Sequence, residues 1–268
     1  MNICDPSPTY NPNGTFSTTL ATAFATLQTT TAATGFSTTT ITNPTTNTSV
    51  TALALCRCNL PTPDCQACVV AASLGIRSVC PNNMAAEVWY TNCTLRYSPI
   101  NFLNQSDTSI AFQLWDARYA PNNSSFDPKV NLLLENLSHT AGASDKRSAV
   151  GRTTLVGSQN IYGYVDCTRD IDGGDCTTCL LDVINFIPSS GCLGHWAGWI
   201  ATPTCNIQFD MDPVHEDWAD NPPYINTDSL VGPGLFSPSD KGGLGGSGGG
   251  GKEWIVVVGE GWWCHLPE

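Results

Sequence analysis

CRCNLPTPDCQAC at residues 56–68 and CTRDIDGGDCTTC at residues 167–179 decide how this chain is organised. Cysteines fall at 56, 65 and 68 in the first stretch and at 167, 176 and 179 in the second. Two more follow each stretch, at 80 and 93 and at 192 and 205, so the successive steps are 9, 3, 12, 13 and 9, 3, 13, 13. An offset of 111 relates the first three pairs and 112 the last two, in a chain with only 13 Cys among 268 residues. A shared offset of that size means two copies of a domain-sized unit rather than a short solenoid repeat.

Composition agrees. An apolar content of 41% supplies two compact domains of roughly 100 residues each. The formal charge of −12, from 11 basic and 23 acidic side chains, disfavours a nucleic-acid partner and an anionic membrane surface, which need clustered Lys and Arg. Paired cysteines in small domains indicate an oxidising compartment. Sequons at Asn13, Asn47, Asn92, Asn104, Asn122, Asn123 and Asn136 point the same way and are the candidate glycosylation sites. Met1-Asn2-Ile3-Cys4 shows neither a basic nor an apolar leader region, which reads as a mature chain behind an added Met. The apolar run Trp254–Val258 is too short to span a bilayer, so no membrane span is expected.

Periodicity gives both copies the same outline. In the first, Phe16, Leu20, Ala23, Phe24 and Leu27 form one face of a helix over 16–30. The Thr-rich stretch 29–51 reads as strand with a turn at Asn43-Pro44, followed by a strand over 50–58. A helix over 65–79 carries Cys65 and Cys68 on one face, and 88–97 reads as a closing strand. In the second copy, helices are predicted over 127–139 and 176–186, with strands over 152–155, 161–167 and 199–209. The expected class is α+β: two tandem domains, each an antiparallel sheet against two helices and stapled by disulfides. The divisions are a first domain over 1–98, a linker over 99–111, a second domain over 112–212, and an acidic, Pro/Gly-rich tail over 213–268 without fixed structure.

The cysteines allow three chemistries. A zinc site would need four converging thiolates, which the compartment disfavours. The pairs Cys65-Gln-Ala-Cys68 and Cys176-Thr-Thr-Cys179 sit at helix starts, where a redox-active C-x-x-C belongs. Further cysteines nearby make structural bridges the favoured reading, each stabilising by about 2–5 kcal/mol. The C-x8-C-x2-C signature, the two cysteines after it and the Tyr-Gly before Cys167 resemble the plant ginkbilobin-homologous domain, also called the cysteine-rich repeat or salt-stress-response/antifungal domain. The resemblance covers residues 4–98 and about 112–210. It implies bridges Cys4–Cys80, Cys56–Cys65, Cys68–Cys93, Cys167–Cys176 and Cys179–Cys205. Cys58, Cys192 and Cys264 are left unassigned, and an inter-domain Cys58–Cys192 bridge is one expectation for them.

The resemblance also implies where a ligand would sit. Family members that bind mannose use an Asn just after the first Cys, an Arg six before the last Cys and a Glu five after it. Here these places hold Asp5, Glu87 and Ser98 in copy one, and Trp199 and Asp210 at the last two in copy two. Sugar binding depends on fixed donors and acceptors, so mannose binding by that mode is not expected, although these five residues remain the candidate ligand surface. Trp196 and Trp199 with His195 form a second candidate, an aromatic sugar platform, against the plainer reading of core packing. His139, His195, His215 and His265 lack a nucleophile at catalytic spacing. The acids of 210–220 lack the Gly and final Glu of a calcium loop. No enzyme, metal or cofactor is expected. The expected role is an apoplastic, non-catalytic recognition module, the ectodomain of a cysteine-rich receptor-like kinase or a secreted relative in defence or stress signalling. Its partner would be a protein or glycan ligand, with a co-receptor for a receptor form; an antifungal mannose-type lectin is the alternative. In such a receptor, 252–258 would fall where the membrane helix begins.

Overall fold

The structure is a computed structural model. It describes residues 1–213 except Ser7, Asn59 and Asn122, together with the backbone of two later strands. In the first domain, β1 (Asn2–Cys4), α1 (Thr15–Thr34), β2 (Phe36–Thr42), β3 (Ser49–Cys56), α2 (Thr62–Val79), β4 (Ala86–Trp89) and β5 (Cys93–Ser98) build an antiparallel sheet of order β1-β4-β5-β3-β2. The second domain repeats it with β6 (Phe112–Asp116), α3 (Asn123–Ala143), β7 (Ser148–Val156), β8 (Gln159–Cys167), α4 (Gly173–Ser190), β9 (Ala197–Ala201) and β10 (Cys205–Asp210), in the order β6-β9-β10-β8-β7. Each domain buries its own core between sheet and helices. Phe16, Leu20, Phe24 and Leu27 of α1 meet Val69, Ala72 and Ile76 of α2 in the first. Leu133, Leu134 and Leu137 of α3 meet Leu180, Val183 and Ile187 of α4 in the second.

Several elements differ from the sequence reading for clear reasons. The first helix runs on to Thr34 through what reads as strand, because Thr26, Thr30 and Thr31 return their hydroxyls to the carbonyls four residues back and the turn ends only at Gly35, φ 77°. The closing strand over 88–97 is two strands, β4 and β5, folded at residues 90–92, where the Tyr90 amide donates to the Cys93 carbonyl at 2.8 Å. The short edge strands β1 and β6 carry too few residues to show a period. Two segments of the tail are strands as well. β11 (Tyr224–Asn226) pairs parallel with β7, and β12 (Trp254–Val258) pairs antiparallel with β6. An apolar β-branched run of five residues finds a ladder at a sheet edge. The rest of the expected tail lies outside the described residues.

Five disulfides join Cys4–Cys80, Cys56–Cys65, Cys68–Cys93, Cys167–Cys176 and Cys179–Cys205, pair for pair as the family resemblance has them. The first domain has one more than the second, and register shows what replaced it. Cys4 pairs with Ala86, which pairs with Tyr97, four residues after Cys93. Trp115 pairs with Gly198, which pairs with Phe209, four residues after Cys205. Trp115 thus stands where Cys4 stands. Its ring closes on the backbone at Gly191, φ 88°, where an added Cβ would lie 3.4 Å from two ring carbons. Cys192 beside it is fully buried and unpaired. Burial pushes its thiol up to about 11, with a Ser190 hydrogen bond opposing.

The domains meet along β1 and β4 on one side and β6 and β9 on the other. Met1, Ile3 and Trp89 pack with Phe112, Leu114, Trp199 and Ala201. Trp89, Phe112 and Trp199 form an edge-to-face series with centroids 5.3 and 5.0 Å apart. Beside this apolar seam lies a buried ion pair. Arg57 Nη1 donates to Asp166 Oδ2 at 2.7 Å, and its Nε donates to the Thr91 carbonyl at 3.3 Å. Asp166 also accepts from the Tyr164 hydroxyl at 2.5 Å and from Asn206 Nδ2 at 2.9 Å. The guanidinium stands 5.6 Å from the Tyr164 and Trp199 rings. Burial alone would lower its proton affinity, but Asp166 and Tyr164 reverse that and hold it raised.

Two predictions follow from these contacts. Trp115→Cys should close a sixth disulfide with Cys192, seen as protection of Cys192 from alkylation after denaturation without reductant. The net change in stability should be within about 2 kcal/mol, because loop closure of about 4–5 kcal/mol offsets the loss of a buried Trp of about 3–5 kcal/mol. Arg57→Met should cost about 3–5 kcal/mol in urea unfolding by stranding a buried carboxylate, and Asp166→Asn added to it should recover part of that loss.

Candidate functional site

Strand β5 alternates Cys93, Leu95 and Tyr97 into the core with Thr94, Arg96 and Ser98 on the opposite face. That face, with β4 and the chain just after β1, forms one wall of a groove of about 730 Å3. Asp5, Glu87 and Ser98, distant in sequence, all line it. Pro203 brings the second domain to its rim, beside Ala111 at the end of the linker. The linker supplies the other wall. Its Asp107 amide donates to Thr204 Oγ1 and its Asn104 amide to Asp170 Oδ2, both at 2.8 Å, so the linker is tied to the second domain.

Arg96 is the hinge of the electrostatics. It is the cross-strand partner of Glu87, with Nε 3.6 Å from Glu87 Oε2 and Nη2 3.7 Å from Asp107 Oδ2. Its guanidinium lies 4.3 Å above the Phe102 ring. Glu87 is only 5% exposed. Burial raises its carboxyl well above the ordinary range; Arg96 opposes and Asp107 adds to the rise. Desolvation wins because Arg96 is divided between two carboxylates and is not at hydrogen-bond distance from Glu87. The groove therefore offers a guanidinium, the buried Glu87 carboxyl, an exposed Asp5 carboxylate and hydroxyls. The guanidinium that the resemblance expects at position 87 comes here from position 96, across the ladder. The alternation of Cys93–Ser98 already places Arg96 on the solvent face; the contribution of Asp107 has no signal in the sequence.

The second copy builds nothing comparable. Register places Asp116 where Asp5 stands, a counterpart invisible without the β6–β9 pairing. Its carboxylate is fully buried and takes Arg118 in a fork, with Nε to Oδ1 at 3.0 Å and Nη2 to Oδ2 at 2.6 Å. Asp210, expected on the ligand surface, is instead fully buried; its carboxylate accepts from the Asp212 amide at 2.8 Å. Trp199 is half-buried in the domain seam, its indole N–H donating to Asn206. Nor do Trp196, Trp199 and His195 form a platform. Trp196 lies 4.8 Å under Arg118, Trp199 packs on Phe112, and His195 is buried with Nδ1 2.6 Å from the Asp116 carbonyl. Trp196 precedes β9 and Trp199 lies within it, and the two indoles meet different surroundings.

The expected Cys58–Cys192 bridge is absent and both thiols are free. Cys192 belongs to the second domain's core, whereas Cys58 lies at the domain boundary, where burial raises its thiol and Ser148 and Tyr164 oppose. Cys264, His215 and His265 lie outside the described residues, as do the acids of 216–220. Of the sequon asparagines, Asn13, Asn47 and Asn104 are exposed. Asn92 is half-buried with its carbonyl accepting from Arg57, and Asn136 Nδ2 donates to the Leu132 carbonyl at 2.7 Å. Asn123 opens α3, and Asn122 lies outside the described residues. Among the described residues no group of His, Cys, Asp and Glu is arranged to hold a metal, and no helix is long and apolar enough to cross a membrane.

Comparison with known proteins bears on this arrangement directly. The family described as Salt stress response/antifungal matches twice, over residues 3–99 and 115–212. An antimicrobial ginkbilobin-2-like protein of Castanea crenata is 37% identical over 161 residues, 60% of this chain and 66% of that protein. Cysteine-rich receptor-like protein kinase 7 of Arabidopsis thaliana is 32% identical over 245 residues, 90% of this chain but 36% of the kinase. The chain thus spans just under two thirds of the first relative and about a third of the second. Among solved structures, the tandem DUF26 ectodomain of the Arabidopsis thaliana cysteine-rich receptor-like protein PDLP8 superposes with a TM-score of 0.69 at 23% identity, covering 80% of this chain and 98% of that one. With two complete copies of the cysteine ladder and of the sheet order, the chain belongs to the salt stress response/antifungal family as a tandem-domain member.

Proposed function

We propose that the chain is a non-catalytic recognition module that works outside the cell, in the apoplast, as a receptor ectodomain or a secreted protein in defence or stress signalling. Relatives named as secretory proteins and as receptor-like kinases support the setting, and the kinase part of the latter has no counterpart in the aligned residues. The observation that carries the reading is the groove at Asp5, Glu87, Arg96 and Asp107. It offers several polar side chains at the domain junction and no nucleophile paired with a base. A hydroxyl-rich ligand, a glycan or a glycosylated protein, suits alternating donors and acceptors of this kind. A co-receptor would then read the composite surface of linker and both domains.

The lectin alternative gains one observation: Asp5, Glu87 and Ser98 do converge, and Arg96 restores a guanidinium to the groove. A glycan array read with the wild-type chain and Arg96→Ala separates the two readings. Specific binding to any glycan, weakened about tenfold or more by Arg96→Ala (about 1.4 kcal/mol), supports the groove as the site. Mannose selectivity selects the lectin reading, and binding unchanged by Arg96→Ala removes the groove from either.

The raised Glu87 carboxyl sets a pH dependence. The folded chain holds this proton to a higher pH than the unfolded chain, so the stabilising contribution is complete below the ordinary value of 4.5 and falls as pH rises toward the raised value. Thermal melting of the wild type should therefore decline between the acid limit and neutrality relative to Glu87→Gln, whose curve lacks this component. Parallel curves for the two proteins would show that Glu87 is ordinary.

A further inference from the structure

A second groove, of about 450 Å3, opens on the other side of the domain boundary, between the end of α1, the start of α2 and the second domain. Its charged lining is Arg57, Lys146 and Arg169. In a chain with 23 acids and 11 bases, three bases with no carboxylate in the lining concentrate positive potential where the net charge predicts the reverse.

The three cations are not equivalent. Arg57 is committed to Asp166. Arg169 spends Nη1 on the Thr34 carbonyl at 2.6 Å and Nε on the Lys146 carbonyl at 3.1 Å, while Lys146 is exposed. Neither Arg169 nor Lys146 has a carboxylate partner among the described residues. Two carbonyls therefore hold the Arg169 guanidinium in place with no carboxylate within ion-pair distance, although Asp166 and Tyr164 act on it from further off. Burial lowers its proton affinity, with Tyr164 and Asp166 opposing. The start of α2 also borders the groove through Pro61 and Thr62; Pro61 caps it without a side-chain hydrogen bond, and Asp64 in the first turn offsets part of the helix-end charge. Gly35, left-handed at φ 77°, lies against the Arg169 guanidinium in the floor.

We propose that this groove binds an acidic saccharide through one of its oxyanions, which sits between Lys146 and Arg169 and faces the α2 terminus. A saccharide suits the lining because the groove is mostly polar, with the Thr62 residue and the α1 end beside the cations, and has little apolar surface to take a hydrophobic peptide anchor. The site is separate from the Glu87 groove and does not depend on that groove being a ligand site.

Titration calorimetry of the whole chain with trigalacturonate, with neutral trigalactose and with inorganic sulfate tests it. Trigalacturonate should bind, weaken with added salt, and weaken about fivefold or more in Lys146→Gln and further in Lys146→Gln/Arg169→Gln. Lys146→Gln is the secure variant, because only its backbone carbonyl serves the fold. Trigalactose binding as tightly as trigalacturonate, or trigalacturonate binding unaffected by Lys146→Gln, overturns the proposal. Sulfate binding as tightly as trigalacturonate overturns its saccharide part, leaving a site for any oxyanion.

Discussion

One buried ion pair crosses the domain boundary, and each of its partners depends on the other domain for its counter-charge. Arg57 and Asp166 are each under a tenth exposed, and an isolated charge there would be costly. Neither domain has a satisfied interior at this point alone: Arg57 in the first needs a carboxylate, and Asp166 in the second needs donors beyond Tyr164 and Asn206. The pair therefore acts as a register mark between domains as well as an attraction. Its angular precision is shared with the Trp89–Phe112–Trp199 series, which supplies area where the ion pair supplies direction.

The duplicated copies have diverged under that constraint. The outer strand β1 keeps a bridge through Cys4, while β6, its counterpart, replaced the cysteine with Trp115 and left Cys192 in an apolar setting. Three centred contacts on β6 explain the exchange: Phe112 and Leu114 face the seam and Trp115 faces its own domain's core. The family's ligand positions diverged in parallel. In copy one they are polar and line a groove, Asp5 exposed and Glu87 nearly buried; in copy two Asp116 and Asp210 are fully buried and serve internal hydrogen bonds.

Most of the architecture was legible in sequence because cysteines are pinned by covalent geometry and helical faces by burial. The ladder at 56, 65, 68, 80 and 93 and its copy fixed the two domains, and the Leu and Phe spacing fixed α1 and α3. What was not legible depended on neighbours that sequence separation hides. The last turn of α1, residues 31–34, looked like strand because propensity ignores the hydroxyl bonds back along the helix. Asp210 looked like a ligand residue because position in a motif says nothing of burial. Asp116 became recognisable as the partner of Asp5 only through the pairing of β6 with β9. Arg96 was visible by alternation; Asp107 reached the groove through a linker whose path only the fold reveals.

That linker has a consequence for how occupancy of the first groove would be felt. Asp107 stands 3.7 Å from Arg96 on a segment anchored to Thr204 of the other domain. It is in effect a resident surrogate, occupying the side of the guanidinium that an incoming acceptor would claim. An acceptor arriving on that side would compete with Asp107 for the one guanidinium, at a segment whose backbone is tied to the other domain.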